Sequence, residues 1–167
     1  SYPVLDASSF MTHAPIGSFT NSYVGQWSYF CPAAHAELGF IVVIIITRGT
    51  ELRGSTFEDD KDAALGYCFH QDDCVAGIQQ LAERYPYMDI DRVGLGGGYQ
   101  NPPSTLSGML RFPDFYKVGV SDNAASDSRL LGEHFVEHAT AGRSWSDDFR
   151  EYHLEHYAQN LKGKLLL

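Results

Sequence analysis

The chain has 167 residues, of which 44% are apolar and 20% charged, and this composition is typical of a globular protein. A chain of this length can form one domain that buries roughly 70% of its unfolded surface. Its formal net charge of -9 argues against nucleic acid or an anionic membrane as a partner, and its longest apolar run, at 40–46, is far too short to cross a bilayer.

Apolar periodicity predicts an alternation of strands and helices along the chain. The predicted strands are short and rich in β-branched residues. The clearest helical pattern lies at 72–86, where Val75, Ile78 and Leu81 share one face with Ala82. In chain order we predict a strand at 2–6, a helix within 23–38, a strand at 40–46, a loop at 47–60, a helix at 72–86, a strand at 92–96, a helix at 102–111, a strand at 117–121, helices around 128–140 and 147–160, and a strand at 164–167.

Strands that alternate with helices predict βαβ units and an α/β fold with a mostly parallel sheet. The strands are almost continuous apolar runs, as expected when helices cover both faces of the sheet. We therefore expect one domain over 1–167, with a sheet of about five strands flanked by helices. The opening sequence SYPVLD contains no signal peptide and is typical of the middle of a domain, so we expect further sequence upstream.

The segment RVGLGGGYQNPPSTLSGML, at 92–110, predicts a strand that passes through a glycine loop into a helix. Asn101 and Pro102 suit the cap and the first residue of that helix. The loop begins like a dinucleotide-binding fingerprint, but Tyr99 occupies the place of its last glycine. It is not a Gly-x-Ser-x-Gly nucleophile elbow either. Taken alone, the segment predicts a turn of unassigned purpose.

The three cysteines form no Cys-x-x-Cys pair, so they predict buried free thiols and leave the compartment unassigned. We expect the arginines to organise loops by hydrogen bonding to carboxylates or backbone, and the acidic runs to be solvated. The residues concerned are Cys31, Cys68 and Cys74; Arg48, Arg53 and Arg92; and Asp59, Asp60, Asp62, Asp72 and Asp73.

A second motif, His134-Phe135-Val136-Glu137-His138, matches the inverted zincin pattern His-x-x-Glu-His. On a helix, two histidines four residues apart share a face, so His134 and His138 could bind one zinc ion with Glu137 as the base. His153 or His156 could add a ligand. The alternative is that these are solvated helix residues, with no cofactor in the protein.

Longer stretches of the chain carry a resemblance. YPVLD, ELGFIVV, RGTELRGSTF, AERYPYMDIDRVG, MLRFPDFYKVGVS, DSRL and NLKGKLLL occur in this order. The chain closely resembles the catalytic domain of the prolyl oligopeptidase family of serine peptidases, in particular its dipeptidyl peptidase IV-like members. The resemblance implies an α/β-hydrolase fold and hydrolysis of short peptides, often after proline, by serine, aspartate and histidine. Members of the family usually carry a β-propeller upstream of this domain.

The resemblance also assigns positions to the catalytic turn. Tyr99 takes the place of the nucleophilic serine, with Gln100 beside it in the oxyanion region, and Asn101 takes the place of the second motif glycine. A phenol, with a pKa near 10 and a longer reach, cannot simply replace the serine hydroxyl. Ser9 aligns with the start of the family's Tyr-Gly-Gly-Pro, whose tyrosine helps bind the oxyanion, and its hydroxyl is too short for that role.

Other positions of the family's site also differ. Leu131 and Phe135 align with two substrate-pocket tyrosines, Ile46 with an aspartate and Phe69 with a glutamate. The family's catalytic aspartate and histidine fall beyond Leu167. We therefore expect a degenerate, C-terminally truncated domain that is inactive as this chain. Two alternatives remain open, namely a peptide-binding or scaffolding pseudoenzyme and the zinc hydrolase. A truncated sheet would leave an apolar edge exposed, which predicts self-association or a missing companion domain.

Overall fold

The computed structural model describes residues 1–8, 32–45, 47–48, 71–97, 102–121 and 154–167. Strands and helices alternate through these ranges, as the sequence predicts. The elements are β1 (Tyr2–Asp6), α1 (Pro32–Glu37), β2 (Ile41–Val43), α2 (Gln71–Arg84), β3 (Met88–Gly97), α3 (Pro102–Arg111), β4 (Tyr116–Ser121), a 3₁₀ helix (Leu154–Asn160) and β5 (Lys164–Leu166).

The five strands form one sheet in the order β2-β1-β3-β4-β5, and every neighbouring pair is parallel. The predicted α/β class and the predicted number of strands are therefore confirmed. β3 is the central strand, and β5 lies at one edge, as expected for the last predicted strand. Because all the strands run in the same direction, their carboxyl ends meet at one edge of the sheet.

The main core lies between the sheet and helices α2 and α3. Ile78 of α2 and Met109 of α3 are fully buried against the sheet, and the predicted apolar face of α2 packs there as well. The helix bounds agree with the sequence: α2 ends two residues before Pro86, and α3 begins at the predicted Pro102. The buried residues of this cluster are Val4, Val43, Ile78, Met88, Val93, Leu95, Met109 and Tyr116.

Two strands differ in length from the apolar runs that predict them. β2 ends at Val43 rather than at residue 46, because its partner β1 ends at Asp6; beyond that point the Ile45 amide donates to Ser8 Oγ at 2.9 Å. β3 begins at Met88 rather than at residue 92 and includes polar residues. The register shifts between Pro3 and Val4, so that β3 can pair with β1 on both sides of the irregularity. Backbone pairing, rather than side-chain polarity, decides these bounds.

Other predicted elements lie partly or wholly outside the described residues. The helix within 23–38 is described only as α1, and the helix around 147–160 only as the 3₁₀ helix. The helix around 128–140 and nearly all of the loop at 47–60 lie outside the described ranges. Within those ranges, none of the helices is long and apolar enough to cross a membrane.

One side of β4 and β5 carries exposed apolar residues. Val118 and Val120 are 46% and 47% exposed, and Leu166 on the edge strand is 64% exposed. Both faces of a parallel sheet are normally covered. Self-association, or burial by another chain or domain, stays a prediction. Sedimentation velocity on the native polypeptide is expected to show a concentration-dependent species larger than the monomer, or a stable complex with a partner. A monomer at all concentrations, without a partner, would contradict it.

Candidate functional site

The candidate site lies at the carboxyl edge of the sheet, where the central strand leads into a helix. β3 ends at Gly97 and α3 begins at Pro102, so the four residues at 98–101 make the connection. β1 lies beside β3 with Asp6 paired to Leu95. Both strands therefore leave the sheet at the same edge, which is where open α/β sheets bind ligands.

The side chains that the sequence assigns to this site lie outside the described residues. This holds for the proposed nucleophile and oxyanion positions, for the substrate-pocket positions and for the zinc motif. The fold brings the segment that leads to Ser9 beside the one that leads to Tyr99. The residues are Ser9, Tyr99, Gln100, Leu131, Phe135, His134, Glu137 and His138.

A buried polar cluster lies directly beneath this edge. Asp6, the last residue of β1, is fully buried, and its Oδ1 accepts a hydrogen bond from the Ser8 amide at 2.9 Å. The Tyr116 hydroxyl of β4 lies 2.7 Å from Asp6 Oδ2 and 3.1 Å from Oε1 of Gln71, the first residue of α2. The cluster thus joins β1, β4 and α2 across the middle of the fold.

Burial dominates the ionisation of this cluster. Desolvation raises the pKa of Asp6, although hydrogen bonds from Ser8 and Tyr116 oppose the shift. The pKa of the Tyr116 phenol is also raised, by burial and then by the nearby Asp6 carboxyl. Burial likewise raises the pKa of the Cys74 thiol, one turn into α2. This keeps Cys74 a thiol rather than a reactive thiolate and confirms that it is a buried free cysteine.

Ser8 couples the end of β1 to the segment that follows β2. Its amide donates to Asp6, and its Oγ accepts from the Ile45 amide. The side chain of a serine here replaces the backbone partner that β2 loses when β1 ends. Two hydrogen bonds therefore hold Ser8, which is the last described residue before Ser9 in the chain.

The described arginines behave as the sequence predicts. Arg48 forms a two-pronged ion pair with Asp73 in the first turn of α2, with both side-chain distances at 3.0 Å. Arg92 bonds Asp89 at 2.8 Å and the Ser1 carbonyl at 3.1 Å. These contacts hold chain segments together at the surface.

Sequence reasoning missed the roles of Asp6, Tyr116 and Gln71. One signal was available, because YPVLD ends an apolar strand on a carboxylate, and a buried carboxylate needs partners. Its partner Tyr116 lies 110 residues further along the chain, and Gln71, which Tyr116 contacts in turn, lies 65 residues further along; no local pattern connects them.

No cluster of three or more metal-ligating side chains occurs within the ranges that the structure describes. The zinc motif lies outside those ranges, so a zinc hydrolase stays a prediction. Elemental analysis of the purified native polypeptide tests it. Stoichiometric zinc that disappears in the variant His134→Ala/His138→Ala would support it, and the absence of bound zinc would exclude it.

A parallel sheet in the order β2-β1-β3-β4-β5, whose central strand leads into a helix, is an architecture that α/β-hydrolase domains share with other open α/β folds. The profile of the prolyl oligopeptidase family matches residues 25–167. The chain belongs to the prolyl oligopeptidase family, and the resemblance drawn from its motifs is confirmed.

Individual relatives agree with this assignment. Human dipeptidyl peptidase 8 is 32% identical over 112 residues, which cover 67% of this chain and 12% of that protein. A putative dipeptidyl aminopeptidase IV from Bacteroides ovatus matches with a TM-score of 0.70 and 26% identity, over 99% of this chain and 23% of that one. The chain spans only this small share of the relatives it matches.

Two more distant structures show the shared fold. Dipeptidyl peptidase 4 of Porphyromonas gingivalis matches with a TM-score of 0.75 and 21% identity, over 98% of this chain and 22% of that one. The acylaminoacyl peptidase of Pyrococcus horikoshii matches with a TM-score of 0.74 and 20% identity, over 99% and 27% of the two chains. At this level of identity the likeness concerns the fold alone.

Proposed function

We propose that this domain is a non-catalytic member of its family, which keeps the peptidase fold but has lost the serine nucleophile. The observation that carries the proposal is the composition of the four residues that connect β3 to α3. They read Gly98-Tyr99-Gln100-Asn101 and include no serine, threonine or cysteine. In the family, the attacking serine belongs at the position of Tyr99.

The chemistry of a phenol supports the loss of activity. The Tyr99 oxygen stands several bonds further from its backbone than a serine oxygen does, so it cannot attack a carbonyl that is held for serine. Asn101 also carries a side chain where the family uses glycine to let backbone and substrate approach closely. In a serine protease, loss of the nucleophile alone lowers kcat on the order of a millionfold.

A covalent probe tests the proposal directly. The native polypeptide that contains this domain is incubated with a fluorophosphonate, with human dipeptidyl peptidase 8 as the positive control. We expect no labelling within this domain and no hydrolysis of a dipeptidyl anilide above the buffer rate. Tyr99→Phe is the matched control, because a phenol without catalytic function can lose its hydroxyl with no change in either readout. Labelling of a residue between 98 and 101, or hydrolysis that Tyr99→Phe abolishes, would contradict the proposal.

The role that remains is peptide binding or scaffolding at the same edge. The relatives named dipeptidyl peptidases act on peptides, and here the end of β1 is still held in place by the contacts of Asp6 and Ser8. We expect saturable binding of short proline-containing peptides without cleavage, measured by calorimetry. Leu131→Tyr, which restores the residue type of the family's pocket, should change the affinity. A peptide panel without saturable binding would exclude the peptide-binding role.

A further inference from the structure

The Tyr116 hydroxyl lies between two acceptors but has only one proton to donate. Asp6 Oδ2 lies 2.7 Å from it on one side, and Gln71 Oε1 lies 3.1 Å from it on the other. All three residues are at least 96% buried, since their exposed fractions are 0%, 0% and 4%. An ionised Asp6 would accept the hydrogen bond of the phenol O–H, and Gln71 Oε1 would then face the phenol oxygen with no hydrogen between them, which is costly in a buried site.

We propose that Asp6 keeps its proton and donates it to Tyr116, which in turn donates to Gln71, so that the three side chains form a neutral, pH-sensitive clamp. In this arrangement each of the three short contacts has one hydrogen: Asp6 Oδ2–H to Tyr116, Tyr116 O–H to Gln71, and the Ser8 amide to Asp6 Oδ1. The clamp connects the carboxyl end of β1 to β4 and to the first residue of α2. The clamp lies beneath the edge that carries the candidate site, and its Asp6 precedes Ser9 by three residues in the sequence.

The surroundings of Asp6 favour the neutral acid. On its own strand and turn, Ser8 contributes only hydrogen bonds. On β4 the facing group is the Tyr116 phenol, and on α2 it is the Cys74 thiol; both are neutral, because burial raises their pKa values. β2 contributes Val43 and β3 contributes Leu95.

Among the described residues, the charged side chains in the first turn of α2 are Asp72 and Asp73, and both lie near an arginine. Asp73 is paired with Arg48, and Asp72 lies 3.9 Å from Arg111 of α3. Among the described residues, the groups that act on the ionisation of Asp6 are Ser8 and Tyr116, and no cation is one of them. Desolvation therefore outweighs the hydrogen bonds that favour the anion.

The direction of the pH response follows from this. In the folded protein the pKa of Asp6 is raised above its ordinary value of 3.8. The clamp is therefore complete below that ordinary value and weakens as the pH rises through the folded-state pKa. Between these two pKa values, local opening of the clamp should become more frequent by up to about tenfold per pH unit, since opening there releases one proton; above the folded-state pKa this dependence levels off.

Infrared spectroscopy of the native polypeptide tests the protonation state. The wild type should show the carbonyl stretch of a buried carboxylic acid at a pH of about 6, roughly two units above the ordinary pKa values of exposed Asp and Glu side chains, which are ionised there. The band should be absent from Asp6→Asn and present in Asp91→Asn, whose replaced side chain is exposed. If the wild type lacks this band above that pH, Asp6 is ionised, the Gln71 amide donates to Tyr116, and the proposal is wrong.

Hydrogen exchange tests the clamp itself. The asparagine side chain in Asp6→Asn can donate to Tyr116 at every pH. In this variant the backbone amides at 75–78, which donate to the carbonyls of the first turn of α2, should therefore follow only the intrinsic pH dependence of exchange. Wild type and Asp91→Asn should show an additional loss of protection at these amides as pH rises. Tyr116→Phe should show lower protection than the wild type there at every pH. If Asp6→Asn lost as much amide protection with rising pH as the wild type does, ionisation of Asp6 would not control the clamp. The proposal would then be wrong even if the infrared band were present.

Discussion

Replacing Ile78 with alanine is expected to lower the free energy of unfolding by about 2–5 kcal/mol. Ile78 is fully buried in the middle of α2 and packs into the cluster that joins the helix to the sheet. The substitution removes apolar contacts and leaves a cavity that the surrounding strands can fill only in part. Urea unfolding followed by circular dichroism measures the change.

The neighbouring residue provides the control for this prediction. Gln79 is exposed on the same turn of α2, so Gln79→Ala should change stability by no more than about 0.5 kcal/mol. Similar losses in the two variants would show that the core does not lie under Ile78. Such a result would contradict the packing of α2 on the sheet.

Replacing Gly108 with alanine is expected to destabilise the domain, although alanine is the better helix former. A methyl group at this position of α3 would collide with Leu95 Cδ2, and would lie 3.1 Å from Gln71 Oε1 and 3.3 Å from Tyr116 Cε2. Leu95 and Tyr116 are themselves buried, so the helix must move away from the sheet. Overpacking of this kind costs about 1–3 kcal/mol.

The variant Gly77→Ala is the control that distinguishes the steric effect of a methyl group at position 108 from the effect of helix propensity. Gly77 is also a helical glycine, in α2, and its added methyl group meets only side-chain atoms of the half-buried Ile45, the nearest being Cδ1 at 2.9 Å. Both variants gain up to about 1 kcal/mol of helix propensity. Gly108→Ala should therefore be less stable than Gly77→Ala by about 1–3 kcal/mol in parallel urea titrations. Equal stability would mean that α3 does not approach β3 and β4 as closely as described.

The confirmed part of the fold depends on local patterns. The apolar periodicity of 72–86 predicts both the helix and its buried face, because a helix repeats every 3.6 residues whatever it packs against. Pro86 and Pro102 mark helix bounds because a proline lacks the amide hydrogen that a helix interior requires. The alternation of such segments was enough to predict a parallel sheet.

The errors occurred where a distant partner decides the outcome. The run at 40–46 is apolar throughout, yet β2 ends at Val43, because the backbone pairing ends with the Ala7 amide, which donates to the Val43 carbonyl at 2.8 Å. The polar start of β3 was not predicted as strand, although it pairs with β1 across a register shift. The ends of a strand depend on the neighbouring strand with which it pairs. That neighbour is distant in the sequence, so the residues of the strand itself do not identify it.

The sequence by itself determined the family, the class of fold and the absence of an alcohol nucleophile at 98–101, since each depends on the identity of residues in a short segment. Only the tertiary structure decided that Asp6, Gln71 and Tyr116 share one buried chain of hydrogen bonds. Each of these side chains is unremarkable in its own segment. Their chemistry changes because folding removes water from all three and places a single phenol proton between two acceptors.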